Sequence, residues 1–374
     1  MKPLKVAMLG LKGLPGMHGG VEKHVEELGA RLADRGHRID VYCRKFYTPS
    51  FADLRGMHLV PAPTIHTKHL DATIHTLLGG IKAGLSDCDL VHYHAIGPSS
   101  MSFIARMLGK PVIATIHSQD YLRDKWSPAA KWMLRRAESA TLFFAGRVIA
   151  VSRGLADRYA ASKTPVAFIP NGVTPPVRRA PNMIRAQFGL TGKDYLFWAG
   201  RFSPEKGVHY LVDAFHSLDT DMKLVLAGGV NHTENYVANL TKVIDDDPRI
   251  ITPGFVTGEL LDELYSNAAA FVLPSEHEGM PVALLEAISY GLPCIASDIA
   301  PCREVQLSGC GQAMICFAPR NTDSLRDVLR DFTTDPGCMD EQAEQGRERV
   351  LVDYAWDAIA ERVEAEYFKL LEKR

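Results

Sequence analysis

The sequence predicts an α/β protein made of two open domains, each with a parallel sheet. Short apolar runs alternate with amphipathic segments along the whole chain, which is typical of repeated βαβ units. The 374 residues exceed the usual size of one domain. Between residues 169 and 181 the alternation stops and prolines and glycine accumulate, so we expect the domain boundary near residue 173.

Eleven short apolar runs are predicted to be buried strands. In the first domain they cover residues 5–9, 38–43, 90–94, 112–117 and 148–152, and in the second 195–199, 223–227, 250–255, 270–273, 293–297 and 314–317. A helical pattern follows the first strand from about residue 21 to 35, and an amphipathic, highly charged helix is predicted at 356–371. This order of elements indicates two parallel sheets.

Composition and charge argue against several classes of protein. The chain has 42 basic and 44 acidic residues and a net charge of −2, so no nucleic-acid partner is expected. The seven cysteines are odd in number and form no Cys-x-x-Cys pair, which indicates neither a disulfide framework nor a structural zinc site. No run reaches the roughly 18 apolar residues needed to span a bilayer. We therefore expect a cytoplasmic protein, at most peripheral at the inner face of the membrane.

A glycine-rich loop follows the first strand and contains Gly10, Gly13, Gly16, Gly19 and Gly20. Open α/β sheets bind ligands beyond the carboxyl ends of their strands, and a helix N-terminus after such a loop favours a phosphate. The dinucleotide fingerprint Gly-x-Gly-x-x-Gly is absent. Because Arg44 at the end of the second strand could contact an NADP 2′-phosphate, an NADP-linked enzyme remains an alternative.

A second loop with two cations follows the strand that opens the second domain. It reads Gly200-Arg201-Phe-Ser-Pro-Glu-Lys206-Gly207 and leads to a helix that begins near Gly207. Arginine supplies a planar fork of donors and lysine a point charge, and both suit a diphosphate.

Two glutamates flank the start of a third predicted helix. Glu278 precedes the helix, Pro281 occupies an N1-like position, and Glu286 lies among apolar neighbours inside it. A partly buried acid is costly unless it has a partner. A carboxylate placed there can bind the vicinal hydroxyls of a ribose.

Taken together and in this order, the Gly19-Gly20 loop, Gly200-Arg201-x4-Lys206-Gly207 and Glu278-x7-Glu286 resemble the retaining GT-B glycosyltransferases of family 4. Further matches are Ala33-Asp-Arg-Gly-His37, Asp89-Leu-Val-His-Tyr-His94, Ile169-Pro-Asn-Gly-Val173 and Leu226-Ala-Gly-Gly229. The resemblance implies the GT-B fold, with two Rossmann-like domains that face each other across a cleft. Residues 1–173 would be the acceptor-side domain, 174–355 the nucleotide-sugar-binding domain, and the helix at 356–374 would pack back on the first.

The resemblance also implies a role for each site residue. Glu286 would hold the ribose hydroxyls, and Glu278 and the backbone at Gly279 and Met280 would approach the donor sugar or phosphate. Arg201 and Lys206 would bind the diphosphate with help from Gly19 and Gly20, and His117 would lie near the reacting sugar. The residues with catalytic roles would thus be His117, Arg201, Lys206 and Glu278. The nucleobase would lie against the loop at 255–257.

The activity that the resemblance implies is transfer of a sugar, with retention of configuration, from a nucleoside diphosphate sugar. UDP is the expected nucleotide, and a glycan or a lipid-linked saccharide the expected acceptor, in polysaccharide or glycoconjugate synthesis. A nucleotide-sugar epimerase of the same architecture and a nucleotide-binding protein without transferase activity remain alternatives.

No metal site is expected. The Asp-x-Asp pairs at Asp87 and Asp89 and at Asp219 and Asp221 each precede a predicted strand, where acids commonly form turns. His66, His69 and His75 are expected to be loop or helix residues, not metal ligands.

The segment 121–136 combines aromatic residues with five cations. Such a mixture suits an anionic membrane surface, although a solvated helix face has a similar composition. A membrane surface is therefore a possible partner through this segment.

Overall fold

The computed structural model describes residues 2–16, 19–65, 71–122, 126–230, 234–311 and 313–372. The chain divides into two compact units: unit 1 comprises Met1–Gly172 and Tyr354–Arg374, and unit 2 comprises Val173–Asp353. The division between Gly172 and Val173 falls within the stretch rich in proline and glycine. Each unit has its own apolar core.

Each unit contains one parallel sheet. Unit 1 has seven strands: β1 (Lys5–Leu9), β2 (Arg38–Arg44), β3 (His58–Ala62), β4 (Leu90–His94), β5 (Val112–Ile116), β6 (Arg147–Ala150) and β7 (Val166–Phe168). Unit 2 has six: β8 (Tyr195–Phe202), β9 (Lys223–Val230), β10 (Ile250–Gly254), β11 (Ala270–Leu273), β12 (Cys294–Ser297) and β13 (Met314–Phe317). The strand orders are β3-β2-β1-β4-β5-β6-β7 and β10-β9-β8-β11-β12-β13. The predicted pair of parallel α/β sheets is confirmed.

The helices connect these strands. In chain order they are α1 (Gly20–Asp34), α2 (Asp71–Leu85), α3 (Ile96–Ser99), α4 (Phe103–Met107), α5 (Pro128–Phe144), α6 (Arg153–Arg158), α7 (Met183–Phe188), α8 (Val208–His216), α9 (Glu234–Asp245), α10 (Gly258–Asn267), α11 (Val282–Ser289), α12 (Ala300–Val305), α13 (Thr322–Thr334), α14 (Asp340–Asp353) and α15 (Trp356–Leu371). Within the described residues, no helix is both long and apolar enough to cross a bilayer.

Helix α15 belongs to unit 1, although it follows the whole of unit 2 in sequence. Its apolar face, with Trp356, Ile359, Val363 and Tyr367, is buried in the core of unit 1. A side chain at Gly172 would place a Cβ 2.5 Å from the Trp356 ring, so only glycine fits where this helix begins.

The structure differs most from the sequence predictions at four strands, of which β9 was predicted to end at residue 227 but continues to Val230. Strands β3 and β7 were not predicted, and each lies at an edge of the first sheet. Strand β8 was predicted to end at residue 199 but continues to Phe202, since Gly200 and Arg201 pair with Gly228 and Gly229 on β9.

Candidate functional site

Both sheets reverse their strand order at one point, and these two points carry the predicted site residues. In unit 1 the reversal lies between β1 and β4, because β1 also pairs with β2. In unit 2 it lies between β8 and β11, because β8 also pairs with β9. Loops leave such a point in opposite directions and open a crevice at the carboxyl ends of the strands, where α/β proteins bind ligands.

In unit 2, the loops after β8 and β11 approach each other closely. The chain turns through a short 3₁₀ helix, Pro204–Lys206, and Gly207 adopts a φ of 65°. A Cβ at Gly207 would lie 1.9 Å from the carbonyl oxygen of Pro274. Only glycine therefore allows the two loops to meet. Arg201 lies on β8 and not, as predicted, in the loop beyond it.

Two predicted site residues form an ion pair where these loops meet. The Lys206 Nζ atom lies 2.7 Å from Glu278 Oε1, and the two side chains are 22% and 10% exposed. Arg201 is partly buried and has no ion-pair partner among the described residues. The sequence predicted these residues separately, and the structure shows that Lys206 and Glu278 form a pair.

Glu286 lies on α11, the helix that follows the second loop. Its side chain is partly buried, as the sequence indicated, and the hydroxyl of Tyr265 donates to its Oε2 over 3.5 Å. Burial and the nearby Glu286 carboxylate raise the pKa of Tyr265 well above its usual value, so the phenol stays protonated and can donate. Pro281 is the N-cap residue and not N1, because α11 begins at Val282.

The loop before α11 contains the other predicted contacts. Gly279 and Met280 are both buried there. Three buried polar atoms on β8 and in the two loops have no hydrogen-bond partner in the described part of the chain: Ser203 Oγ, Ser275 Oγ and Trp198 Nε1. Buried polar atoms normally find partners, so these unsatisfied groups favour a polar ligand at this edge.

In unit 1, three histidines from three elements meet at the sheet edge. His94 is the last residue of β4, His117 follows β5, and His24 lies on α1. His94 Nδ1 lies 3.3 Å from His117 Nε2, and the His24 and His117 ring centroids are 4.7 Å apart. A Cβ at Gly10 would lie 2.2 Å from the His94 carbonyl oxygen, so glycine is required where β1 ends beside β4.

The environment keeps these imidazoles neutral. Burial lowers the pKa of His24 to about 4, although its Nδ1 lies 2.7 Å from the Asn171 side-chain oxygen and donates to it. Burial, followed by the neighbouring histidines, lowers the pKa of His94 and of His117 well below the ordinary value. The Nε2 atoms of His24 and His94 are buried without a partner in the described residues. The cluster thus offers uncharged donors and acceptors.

Gly19 and Gly20 lie at the start of α1, as its N-cap and first residue. Among the described residues no side chain caps this end, so its N–H groups can face a ligand. Residues 17 and 18 of the same loop lie outside the described residues.

Of the described residues, His24, His94 and His117 could hold a metal ion, since their ligand atoms lie within 4.8 Å of one another. This set was not predicted from the sequence. Asp87 and Asp89 instead contact Lys5, by an ion pair and by a 2.7 Å hydrogen bond to the Lys5 N–H. His66 and His69 lie outside the described residues, and His75 is buried on α2.

Two sequence interpretations are wrong. Arg44 is buried and pairs with Asp71 at 2.7 Å, so it is not available to an NADP phosphate. The second concerns Tyr121 alone within the segment 121–136: it is buried and its hydroxyl donates to Glu138 over 3.2 Å, so it does not contribute to a surface, whereas Trp132 and Arg136 of the same segment are exposed. Residues 123–125 of that segment lie outside the described residues.

Sequence reasoning missed His24, His94 and Asn171 as members of the site in unit 1. His94 and Asn171 lay within matched motifs, but no role was attached to them. Both occur at or just after the end of a strand, and this position could have indicated that they belong to the site.

Comparisons with known proteins cover almost the whole chain. The family model described as "Glycosyltransferase Family 4" matches residues 18–175, and the model "Glycosyl transferases group 1" matches residues 182–349. Alpha-maltose-1-phosphate synthase of Mycolicibacterium smegmatis is 26% identical over 98% of this chain and 100% of its own length.

Solved structures share the fold. Sucrose-phosphate synthase from Thermosynechococcus elongatus has a TM-score of 0.83 and 21% identity, and covers 99% of this chain and 100% of its own. Anabaena HepE in complex with UDP-glucose has a TM-score of 0.80 and 18% identity, over 98% and 100% of the two chains. The chain is a glycosyltransferase and belongs to family 4 of the GT-B fold.

Proposed function

We propose that the chain transfers a sugar from a nucleoside diphosphate sugar, with UDP as the nucleotide, to a saccharide acceptor with retention of configuration. The observation that carries this proposal is the set of charges at the β8–β11 edge: Arg201, the Lys206–Glu278 pair and the partly buried Glu286. The Anabaena relative in complex with UDP-glucose supports the choice of UDP. Polysaccharide or glycoconjugate synthesis is the proposed setting.

Arg201 and Lys206 are proposed to bind the diphosphate. Cleavage of the bond between sugar and phosphate builds negative charge on the leaving phosphate, and fixed cations stabilise that charge in the transition state. Glu278 already holds the Lys206 ammonium at 2.7 Å, so the cation is positioned before the donor binds. These side-chain cations replace a metal ion in the proposed reaction.

Glu286 is proposed to accept hydrogen bonds from the ribose hydroxyls. Its partial burial limits competition from water, and Tyr265 approaches one of its oxygens. The backbone at Gly279 and Met280 and the carboxylate of Glu278 are proposed to contact the donor sugar. Ser203 and Ser275 supply further unsatisfied hydroxyls at this edge.

Unit 1 is proposed to provide the acceptor side. The neutral imidazole of His117 can hydrogen-bond a sugar hydroxyl, because the lowered pKa leaves one nitrogen as donor and one as acceptor. The N–H groups at Gly19 and Gly20 suit a phosphate. All seven cysteines are unpaired, which supports a cytoplasmic location.

Thermal unfolding with a panel of UDP, GDP, dTDP, ADP and NADP tests the donor site. At about 100 times its dissociation constant a ligand stabilises by about 2.7 kcal/mol, and we expect UDP to do so in the presence of EDTA. Glu286→Ala should abolish the shift, whereas Glu259→Ala, a 66% exposed glutamate on α10, should not.

Stabilisation by NADP alone, or by no nucleotide, would contradict the proposed donor site. A UDP shift that disappears in EDTA would show that a metal ion takes part. With the donor known, the anomeric configuration of the product, measured by NMR, tests retention.

Phe255 is expected to stack on the nucleobase. It follows β10 at the same sheet edge, is 60% exposed, and approaches Gly229 at the end of β9, where an added Cβ would lie 3.6 Å from the ring. Stacking of a base on an aromatic ring contributes about 1–3 kcal/mol, so Phe255→Ala should raise the Kd for UDP about 5- to 150-fold.

Calorimetric titration with UDP measures this effect. Phe46→Ala is the matched control, since Phe46 is 57% exposed in unit 1. An unchanged Kd in Phe255→Ala would place the base elsewhere.

A further inference from the structure

Exposed apolar side chains are concentrated on three helices of unit 1. Among the described residues, eighteen large apolar side chains are exposed, and ten lie on α2, on α5 and in the segment 103–108 that contains α4. They are Leu77, Leu78, Ile81, Leu85, Phe103, Met107, Leu108, Trp132, Met133 and Phe143. We call this surface the helical face. A concentration of this kind marks an interaction surface.

Helix α2 has the reverse of the usual pattern for a surface helix. Apart from Asp71 and His75, its buried side is made of small residues, and added Cβ atoms at Gly79 and Gly80 would lie 3.0 Å from Leu9 and 2.9 Å from Tyr93. Its four large apolar residues, spaced by three, four and seven, lie together on the opposite, exposed side. Packing within unit 1 therefore does not account for these side chains.

Helices α4 and α5 continue the same surface. On α5, Trp132, Arg136 and Phe143 recur at helical spacing and are all exposed. The Phe103 ring on α4 lies 5.6 Å from the ring of Phe144, and Arg106 donates to the Phe144 carbonyl oxygen over 3.2 Å. Gly84 of α2 approaches Leu108 after α4. The helical face is thus continuous.

The charges on this face have one sign. Lys82, Arg106, Arg135 and Arg136 are exposed. The described residues of the three helices include two acids, Asp71 and Glu138, and both are buried. Asp71 pairs with Arg44, and Glu138 accepts from Tyr121, so neither faces solvent.

We propose that the helical face docks on an anionic phospholipid bilayer. Apolar side chains among lysines and arginines can enter the interface while the cations contact lipid phosphates. The Arg136 guanidinium lies 5.3 Å from the centre of the Trp132 ring, so one side of α5 presents a cation and an apolar ring at the same place. A second copy of the chain is a poorer occupant, because two such faces would bring like charges together without an acid between them.

This docking has a consequence for the acceptor. A transferase held on a bilayer meets acceptors carried on a lipid, which favours a lipid-linked saccharide over a free glycan. That step rests on the proposed function, whereas the docking itself depends on no residue of the proposed donor site.

Flotation with lipid vesicles tests the docking. The full chain should float with vesicles of phosphatidylcholine that contain about 30 mol % phosphatidylglycerol. With vesicles of phosphatidylcholine alone, the fraction of protein that floats should be about tenfold smaller. Arg135→Glu/Arg136→Glu should reduce binding to the anionic vesicles at least about tenfold, as should Leu85→Ser/Trp132→Ser/Phe143→Ser. Binding of the wild type should weaken in about 0.5 M NaCl.

Control variants on unit 2 separate this surface from general effects. Leu307→Ser/Val352→Ser removes two apolar side chains that are 85% and 71% exposed, and Lys242→Glu reverses an exposed charge; both should bind like wild type. Every variant should keep its thermal shift with UDP. If the wild type shows no thermal shift with UDP, the proposed donor site is contradicted, but the proposed membrane docking is not.

Three outcomes would overturn the proposal. The first is no flotation with either kind of vesicle. The second is equal flotation with both kinds that the Arg135→Glu/Arg136→Glu change leaves intact. The third is self-association in sedimentation velocity, abolished by the apolar variant, without vesicle binding, which would make the face an interface between copies.

Discussion

Replacing Lys206 with alanine is expected to lower kcat by about two to three orders of magnitude. The ammonium lies at the meeting of the β8 and β11 loops, where charge develops on the leaving phosphate, and removal of one preorganised group of this kind costs about 3–4 kcal/mol of transition-state stabilisation. Arg201→Ala should have a loss of similar size. Initial rates with saturating UDP-sugar measure both.

Lys193→Ala is the matched control for this experiment. Lys193 forms a 3.0 Å ion pair with Asp340, also in unit 2, but both side chains are about half exposed, and Lys193 precedes β8 at the end of the strand opposite to Arg201. This variant should lose a surface ion pair and keep its turnover.

Removal of Lys206 also leaves Glu278, only 10% exposed, without this partner, and we expect the unfolding temperature to fall as a result. The double variant Lys206→Ala/Glu278→Ala removes the unpaired carboxylate. It should unfold at a higher temperature than Lys206→Ala and remain inactive. Recovery of turnover in the double variant, or near-normal turnover in Lys206→Ala, would show that the lysine serves the fold and not the transfer.

The central strands could be predicted from sequence because burial on both faces leaves a distinct apolar run. The central strands β1, β4 and β11 have the predicted bounds. The edge strands β3 and β7 lack that signal, since β3 contains Pro61 and β7 has three half-buried residues. The end of β8 was missed because a glycine and an arginine do not resemble a strand.

Tertiary packing explains that last difference. A Cβ at Gly228 would lie 2.0 Å from the Gly200 carbonyl oxygen, so the two strands remain paired to their ends only because both neighbours are glycines. A local pattern contains no information on such a close approach. At this end of β8 the strand conformation is stabilised by pairing with β9 and not by the sequence of β8 itself.

The site was predictable as separate loops but not as contacts. Lys206 and Glu278 are 72 residues apart, and they meet because β8 and β11 are neighbours in the sheet. His24 and Asn171 are 147 residues apart and meet at the edge of unit 1. The motifs predicted the chemistry of each loop. Which loops meet depends on the order of the strands in the sheet, and the sequence did not predict that order.

Unit 1 is expected to lose stability sharply as the pH falls from 7 to 5. A histidine in the unfolded chain binds a proton below a pKa of about 6.5, whereas buried His24 does not until about pH 4. Stability rises with pH wherever the unfolded state binds more protons, so the contribution of His24 is present above pH 6.5 and is lost as the pH falls towards 4. Between pH 7 and 5, His24 alone accounts for about 2 kcal/mol.

The neighbouring histidines act in the same direction. Burial lowers the pKa of His92 to about 3, and those of His94 and His117 are also well below normal. Because a domain is typically stable by about 5–15 kcal/mol, a loss in this direction at several histidines removes a substantial part of the free energy of unfolding of unit 1 at mildly acidic pH. Hydrogen–deuterium exchange of the β1, β4 and β5 amides, followed from pH 7 to 5 at matched intrinsic rates, reports this loss for unit 1 itself.

His24→Gln should flatten the profile by about 2 kcal/mol over this range, because the amide has no proton to gain. His58→Gln is the matched control, since His58 is an exposed histidine of unit 1 that lies outside the buried cluster. If the strands of unit 1 were equally protected at pH 7 and 5, the cluster would be charged or hydrated in the folded state. The assignment of His117 as a neutral hydrogen-bonding group for the sugar would then fail as well, because both conclusions depend on the same buried, uncharged cluster.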